Sequence, residues 1–191
     1  LHIRYQVLSS FIDQLSEVFM KNLFISIICA VSCLVIAGIS NPAFAGSEQF
    51  DEKMQPILAE YVKIADRLAS DKIDGVADAA KKIEDLAGSI SSSLVTGEHA
   101  SHYKSIPKNI SEGAKKMALG KDIASLRAAL VVLSKPMVMW TSMSKPSGVN
   151  VIYCSMYPGS WLQKGAKIRN PYYGSKMLSC GEIISGPDAK K

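Results

Sequence analysis

The sequence predicts a mainly α protein: an antiparallel, up-and-down four-helix bundle followed by a compact C-terminal tail rich in turns and short strands. Apolar residues recur at steps of three and four positions in four stretches between residues 54 and 144, which is the period of amphipathic helices. After residue 148 the pattern changes to a short alternation, and Pro and Gly then interrupt the chain. With 191 residues, 48% apolar and 20% charged, the composition is typical of a globular protein and not of a disordered one.

Residues 1–45 are expected to be an upstream leader and a secretory signal peptide. A basic residue precedes the apolar run at 23–37, a polar break follows, and Ala43-Phe44-Ala45 has the small-x-small pattern of a signal peptidase site. We therefore expect cleavage after Ala45, a periplasmic location and no stable membrane insertion afterwards. An uncleaved membrane anchor and a lipoprotein signal at Cys33 are the alternatives.

Residues 46–185 are expected to form a single helical domain. The apolar stripe of the first predicted helix places Pro56 in its first turn, where a missing N–H costs little. Pro107 and Gly113 weaken the third stripe. Asp122 is the expected N-cap of the fourth helix, and Pro136 is expected to kink or restart it. The four predicted helices cover residues 54–69, 74–92, 101–119 and 122–144.

The tail at residues 149–185 is predicted to consist of turns and short strands that pack on the helices. Val149, Val151 and Tyr153 alternate with their neighbours, as in a half-buried strand, and five Pro and Gly residues follow before residue 175. Residues 186–191 are expected to be a frayed C-terminus.

The tail also concentrates sulfur. Cys154 and Met156 form a Cys-x-Met pair, and Met177 and Cys180 form a Met-x-x-Cys pair. Alternation along an extended segment puts the first two sulfurs on one side, and a turn can bring the second two together. Because thiolates and thioethers prefer soft cations, the two pairs together are a candidate Cu(I) or Ag(I) site.

A structural disulfide between Cys154 and Cys180 is the competing interpretation. These are the only cysteines beyond the predicted signal peptide, and an exported protein commonly pairs its cysteines. Such a bond would stabilise the fold by roughly 2–4 kcal/mol. Spacing alone favours the disulfide, with the methionines as core residues.

The tail motifs resemble those of a bacterial periplasmic family, domain of unknown function 3347. The resemblance lies in Tyr153-Cys-Ser-Met156, Ser160-Trp-Leu162, Ile168-Arg-Asn-Pro-Tyr-Tyr-Gly174 and Met177-Leu-Ser-Cys-Gly181. The helical region is similar through Tyr61, His102 and Asp122-Ile-Ala-Ser-Leu-Arg127. The family occurs alone and fused to the periplasmic adaptor subunits of heavy-metal efflux pumps.

The resemblance implies a helical bundle with a sulfur-containing pocket that handles copper or silver. It places Cys154, Met156, Met177 and Cys180 at the matching motif positions, and His102 at a histidine that the family tends to carry. The expected partners are therefore a soft metal ion and a periplasmic efflux adaptor or a metal chaperone. Ser155 stands where the family usually has a proline, and this replacement makes the Cys-x-Met turn less rigid.

Other function classes have little support in the sequence. It contains no Cys-x-x-Cys, Gly-x-Ser-x-Gly, phosphate-binding loop or His-Glu-x-x-His motif, so we expect no enzyme. A net charge of +5 is too small and too scattered to predict nucleic-acid binding. Two hypotheses remain: a periplasmic soft-metal-binding module linked to heavy-metal handling or efflux, and a non-catalytic, disulfide-stapled helical protein-interaction domain.

Overall fold

The computed structural model describes residues 42–97, 100–157 and 159–190, and from Ala43 onward the chain forms one compact unit. The predicted leader lies outside the described residues, apart from its last four positions. Those positions fall in the first turn of a helix that begins at Pro42. Cleavage after Ala45 stays a prediction.

Helix α1 runs over Pro42–Ala69 and is longer than the sequence pattern predicts. The prediction that Pro56 lies in the first turn is wrong, because the helix begins fourteen residues earlier and Pro56 lies in its interior. The helix tolerates the proline because this side chain is exposed, so water can solvate the carbonyl that loses its N–H partner. Phe50 extends the buried stripe that Met54 and Ile57 continue.

The second and third predicted helices are shorter than expected. Helix α2 spans Val76–Gly88, and a 3-10 turn follows at Ser92–Leu94. The third segment is divided into α3, Ala100–Tyr103, and α4, Ile106–Ala118, with Pro107 in the first turn of α4. A proline is favoured at a helix start and disfavoured in its interior, so the predicted continuous helix breaks here.

Helix α5 spans Ile123–Ser144, and its predicted start is confirmed. The Asp122 carboxylate accepts the Ser125 N–H at 2.7 Å, and the Ser125 hydroxyl accepts the Asp122 N–H at 3.2 Å, which completes a capping box. The helix continues through Pro136 without restarting. By length and composition α5 could cross a membrane, but its buried side chains belong to the core of this unit.

The tail is confirmed as strands and turns. Strands β1 (Val149–Cys154), β2 (Gly159–Lys164) and β3 (Glu182–Ser185) form an antiparallel sheet in the order β2-β1-β3. β2 packs against α5. The turns between β2 and β3 include a 3-10 segment at Gly174–Met177. At the C-terminus the Asp188 carboxylate accepts the Asn150 amide at 2.8 Å.

A buried hydroxyl network joins the helices to the sheet. The Tyr61 and Ser134 hydroxyl oxygens are 2.6 Å apart, and the Leu162 N–H donates to Tyr61 at 3.3 Å. The Tyr172 hydroxyl donates to the Ser160 carbonyl at 2.6 Å and lies 3.3 Å from Ser134. The network therefore fixes α1, α5, β2 and the tail relative to one another within one hydrophobic core.

A second group of polar contacts, centred on Arg127, holds the loop between β2 and β3. The Arg127 guanidinium donates to the carbonyls of Pro171 at 2.9 Å and Leu68 at 2.8 Å, and pairs with the Asp71 carboxylate at 2.6 Å. Asp71 also accepts the Ser175 N–H at 2.9 Å. The loop between β2 and β3 is thereby tied to the end of α1 and to α5.

Candidate functional site

The site forms where β1 ends and the chain enters β3. In the antiparallel register Tyr153 lies opposite Glu182, so Cys154 and Cys180 come together from the two neighbouring segments. Their Sγ atoms are 3.1 Å apart, and the structure records both as free thiols. The convergence that the sequence suggested is therefore present for the two cysteines.

Gly181 makes this approach of the chain possible. It has φ +147°, and a Cβ at this position would lie 2.8 Å from the Trp161 ring and 2.9 Å from the Ile152 side chain. Real Cβ atoms essentially never come so close, so only glycine lets the backbone pack directly on the sheet. Cys180, one residue earlier, is held over Cys154 as a result.

Asn170 organises the loop that carries Cys180. Its side chain is fully buried and donates to the Cys180 carbonyl at 2.8 Å. The amide oxygen accepts the N–H groups of Tyr172 at 2.8 Å and Tyr173 at 3.2 Å. This role of Asn170 was not predicted, although an Asn directly before a Pro, as in Asn170-Pro171, is a recognisable signal of a turn.

The two thiols are not electrostatically equivalent. Burial opposes ionisation of Cys154, but hydrogen bonds from the Cys180 thiol, the N–H groups of Tyr157 and Met156, and the Asn170 amide outweigh it and lower its pKa. Hydrogen bonding to Cys154, burial and the neighbouring charge together raise the pKa of Cys180. Cys154 is thus the preferred thiolate and Cys180 the thiol that donates to it.

Both predicted methionine ligands belong to the turns that hold these cysteines. The Met177 carbonyl accepts the Cys180 N–H at 3.0 Å, and the Met156 carbonyl accepts the Tyr173 hydroxyl at 3.0 Å. The Met156 side chain is 63% exposed, and Met177 is half-buried. Neither methionine side chain is therefore fully buried in the core.

An aromatic group lines the inner side of the site. Tyr157 stacks on Tyr172 with ring centroids 4.8 Å apart, and Trp161 meets Tyr172 edge-on at 5.7 Å. Cys154 is fully buried, whereas Cys180 is only half-buried. An ion would therefore reach the pair from the side of Cys180.

The structure places His102 away from this cluster. It is an exposed residue of α3, whose neighbour Tyr103 lines a cavity with Met143 at the C-terminal end of α5. Tyr172, in the loop that leads to Cys180, instead contacts Ser134, which lies nine residues before Met143 on α5, or about 13 Å along the helix axis. Four of the five predicted ligands are thus in one region, and His102 is not among them.

The donor set limits the chemistry of the site. Within the part of the chain that the structure describes, no group of three or more His, Cys, Asp or Glu side chains is placed to hold a metal ion. The cluster offers two thiols, and the turns that hold them carry two methionines. Soft-cation binding and thiol oxidation are the reactions that such sulfurs support.

Comparison with known families gives one match. The model of the family described as "Protein of unknown function (DUF3347)" matches residues 57–148. The chain resembles the DUF3347 family. The matched range contains α2 to α5 and the C-terminal part of α1, slightly less than half of that helix, but ends before β1, so the tail motifs lie beyond it. A search of curated proteins and a search of solved structures each found no match.

Proposed function

We propose that the protein binds one soft monovalent metal ion, Cu(I) or Ag(I), through Cys154 and Cys180, with Met156 and Met177 as additional ligands. The observation that carries this proposal is the pair of free thiols with Sγ atoms 3.1 Å apart. Two adjacent thiols, one of them favoured as a thiolate, are a strong donor set for a soft cation.

The required adjustment of the pair is small. Metal–thiolate bonds of about 2.3 Å at a tetrahedral angle place two sulfurs about 3.8 Å apart. The observed separation of 3.1 Å must therefore increase by about 0.7 Å. Cys154 is fixed in β1, whereas Cys180 lies in a half-buried turn, so a rotation of the Cys180 side chain accommodates the ion.

The donor chemistry favours Cu(I) or Ag(I) over Zn²⁺. Zinc sites are usually completed by four thiolate, imidazole or carboxylate ligands, and a thioether is a poor substitute. Here the turns beside the pair carry Met156 and Met177, and thioethers are ligands of soft monovalent ions.

The biological setting belongs to the same proposal. The signal-like leader supports export to the periplasm. The role that we propose, copper or silver handling beside an efflux adaptor or a metal chaperone, is what the resemblance of the tail motifs implies. We propose a binding module with no catalytic activity. The short connections between the helices support the up-and-down bundle as its arrangement.

The experiment is a competitive titration of the reduced full chain with Cu(I) and a chromophoric Cu(I) chelator. Cys29→Ser and Cys33→Ser are introduced first, so that Cys154 and Cys180 are the only cysteines. The proposal predicts one ion per chain and a loss of at least about tenfold in affinity, or roughly 1.4 kcal/mol, when Met156 and Met177 are both replaced by leucine.

Met139→Leu is the matched control, because Met139 is also partly exposed, at 40%, but lies on α5. Leucine keeps the volume and removes only the sulfur. If the double leucine variant binds as tightly as the parent, the methionines are not ligands. If the reduced parent binds no stoichiometric ion, the metal proposal is wrong and a protein-interaction domain becomes the better hypothesis.

A further inference from the structure

The separation of the two cysteine sulfurs lies between the values that two different chemical states require. A disulfide needs an S–S bond of about 2.05 Å, so the sulfurs would approach by about 1 Å. A shared metal ion needs them about 0.7 Å further apart than the observed 3.1 Å. Both changes are within the reach of a side-chain rotation at Cys180.

We infer that Cys154 and Cys180 are a redox-active pair, which a small disulfide of the glutathione class oxidises reversibly to an intramolecular disulfide that prevents metal binding. The oxidation itself does not depend on the proposed function, whereas its effect on the ion rests on it.

The different burial of the two thiols sets the order of the steps. Cys154 is fully buried, and Cys180 is partly exposed. An external disulfide therefore reaches only the Cys180 sulfur. The Cys180 thiol passes its proton across the 3.1 Å contact to the Cys154 thiolate, and the resulting Cys180 thiolate attacks the external disulfide, forms a mixed disulfide and releases one small thiolate. The Cys154 thiol gives its proton to that small thiolate, attacks the Cys180 sulfur and releases the second small thiolate, which takes a proton from water. Two protein thiols lose two hydrogen atoms, and the external disulfide gains them as two thiols.

The surrounding structure keeps the pair together in both states. The Asn170 amide holds the Cys180 carbonyl at 2.8 Å, and the Gly181 backbone packs directly on the sheet. Because these contacts involve the backbone, a rotation of the Cys180 side chain does not require them to break. The second step is therefore intramolecular and fast compared with attack by a second external molecule.

Oxidation removes the charged ligands of the proposed metal site. The sulfurs of a disulfide carry no thiolate charge and bind metal ions weakly, since the thiolate is the metal ligand. Only the thioethers of Met156 and Met177 remain in the oxidised form. The oxidised protein therefore binds the ion more weakly than the reduced protein does.

The first test measures the oxidation without any metal. The full chain with Cys29→Ser and Cys33→Ser is treated with glutathione disulfide, and intact mass and free thiols are recorded. We expect the loss of two hydrogen atoms and of both thiols, with full recovery on reduction. We expect the Cys154→Ser variant to keep one glutathione on Cys180, and the Cys180→Ser variant to react roughly tenfold more slowly, because its remaining thiol is buried.

The comparison between these variants makes the oxidation falsifiable. If Cys154→Ser is modified but the two-cysteine protein accumulates stable glutathione adducts, the thiols do not form a pair and the inference is wrong. Equal rates for the two single-cysteine variants would refute the proposed order of attack. Circular dichroism of each variant verifies that the helices are retained.

The second test measures Ag(I) binding by the reduced and the oxidised protein, after removal of glutathione. We expect binding by the oxidised form to be weaker by at least about tenfold. Equal binding by the two forms would show that oxidation does not control metal binding, while the metal site itself would be supported. Absence of binding by both forms overturns the metal site and its control together, while the thiol exchange of the first test is unaffected.

Discussion

Replacement of Tyr61 by phenylalanine tests whether the buried hydroxyl network holds the sheet on the helices. Tyr61 and Ser134 are both almost fully buried, and their hydroxyl oxygens are 2.6 Å apart. The change removes this bond and leaves the buried Leu162 N–H without its acceptor. An unsatisfied buried donor costs about 1–3 kcal/mol, so we expect the free energy of unfolding to fall by about 2 kcal/mol.

Ser134→Ala should cost less, about 1 kcal/mol. Tyr61 still accepts the Leu162 N–H in this variant, and Tyr172 still donates to the Ser160 carbonyl. The double variant should therefore be destabilised by about 1 kcal/mol less than the sum of the single changes, because both remove the same bond.

The assay is urea unfolding followed by circular dichroism, with all variants compared at one protein concentration. For a domain of this size, a loss of about 2 kcal/mol lowers the melting temperature by roughly 4–8 °C. Tyr153→Phe is the control, because Tyr153 is 40% exposed, and its stability should change by less than about 0.5 kcal/mol. Additive single changes, or a Tyr61→Phe effect no larger than that of the control, would refute the reasoning.

The remaining predictions concern helix packing and pH. Gly113→Ala should destabilise by about 1–3 kcal/mol, because its Cβ would lie 3.0 Å from the α5 backbone. Gly88→Ala should instead stabilise by up to about 1 kcal/mol in the same urea assay, because its Cβ would make only an ordinary contact, 3.7 Å from the Ser111 hydroxyl oxygen. Burial raises the pKa of Tyr61 to about 12, although its hydrogen bonds oppose this shift. The stabilising contribution of Tyr61 should therefore be complete below about pH 10 and be lost as the pH rises toward 12. A Tyr61→Phe variant with the same alkaline unfolding curve as the parent would contradict this. Hydrogen bonds from Ser175 and Arg127 lower the pKa of Asp71. The contribution of Asp71 to folding stability should therefore be present above about pH 4 and be lost as the pH falls further. The acid unfolding curve of Asp71→Asn should then lack part of the parent's pH dependence.

The sequence predicted the helices well where an apolar stripe and a cap coincide. Asp122 illustrates this, because its carboxylate and Ser125 form a local bond that three residues of sequence specify. Pro56 illustrates the failure, since a proline is allowed in the first turn and also on the exposed side of a long helix, and local sequence does not distinguish the two.

The candidate site could be predicted only in part. The proximity of Cys154 and Cys180 followed from two short motifs, and the strand register explains it. His102 was included through family resemblance, and its position depends on how α3 meets the end of α5, which no motif encodes. The role of Arg127 was missed for a similar reason, because its partners come from distant parts of the chain. The partners of Asn170 lie within ten residues, but they belong to an irregular loop, in which no periodic pattern predicts the contacts.

X-ray absorption spectroscopy of the full chain loaded with one equivalent of Cu(I) tests the central claim most directly. The chain carries Cys29→Ser and Cys33→Ser, so that the signal reports on the tail. We predict a first coordination shell of sulfur only, lost when Cys154 and Cys180 are both replaced by serine and reduced in sulfur number when Met156 and Met177 become leucine. A shell dominated by nitrogen or oxygen, or one unchanged by the cysteine replacements, would contradict the account.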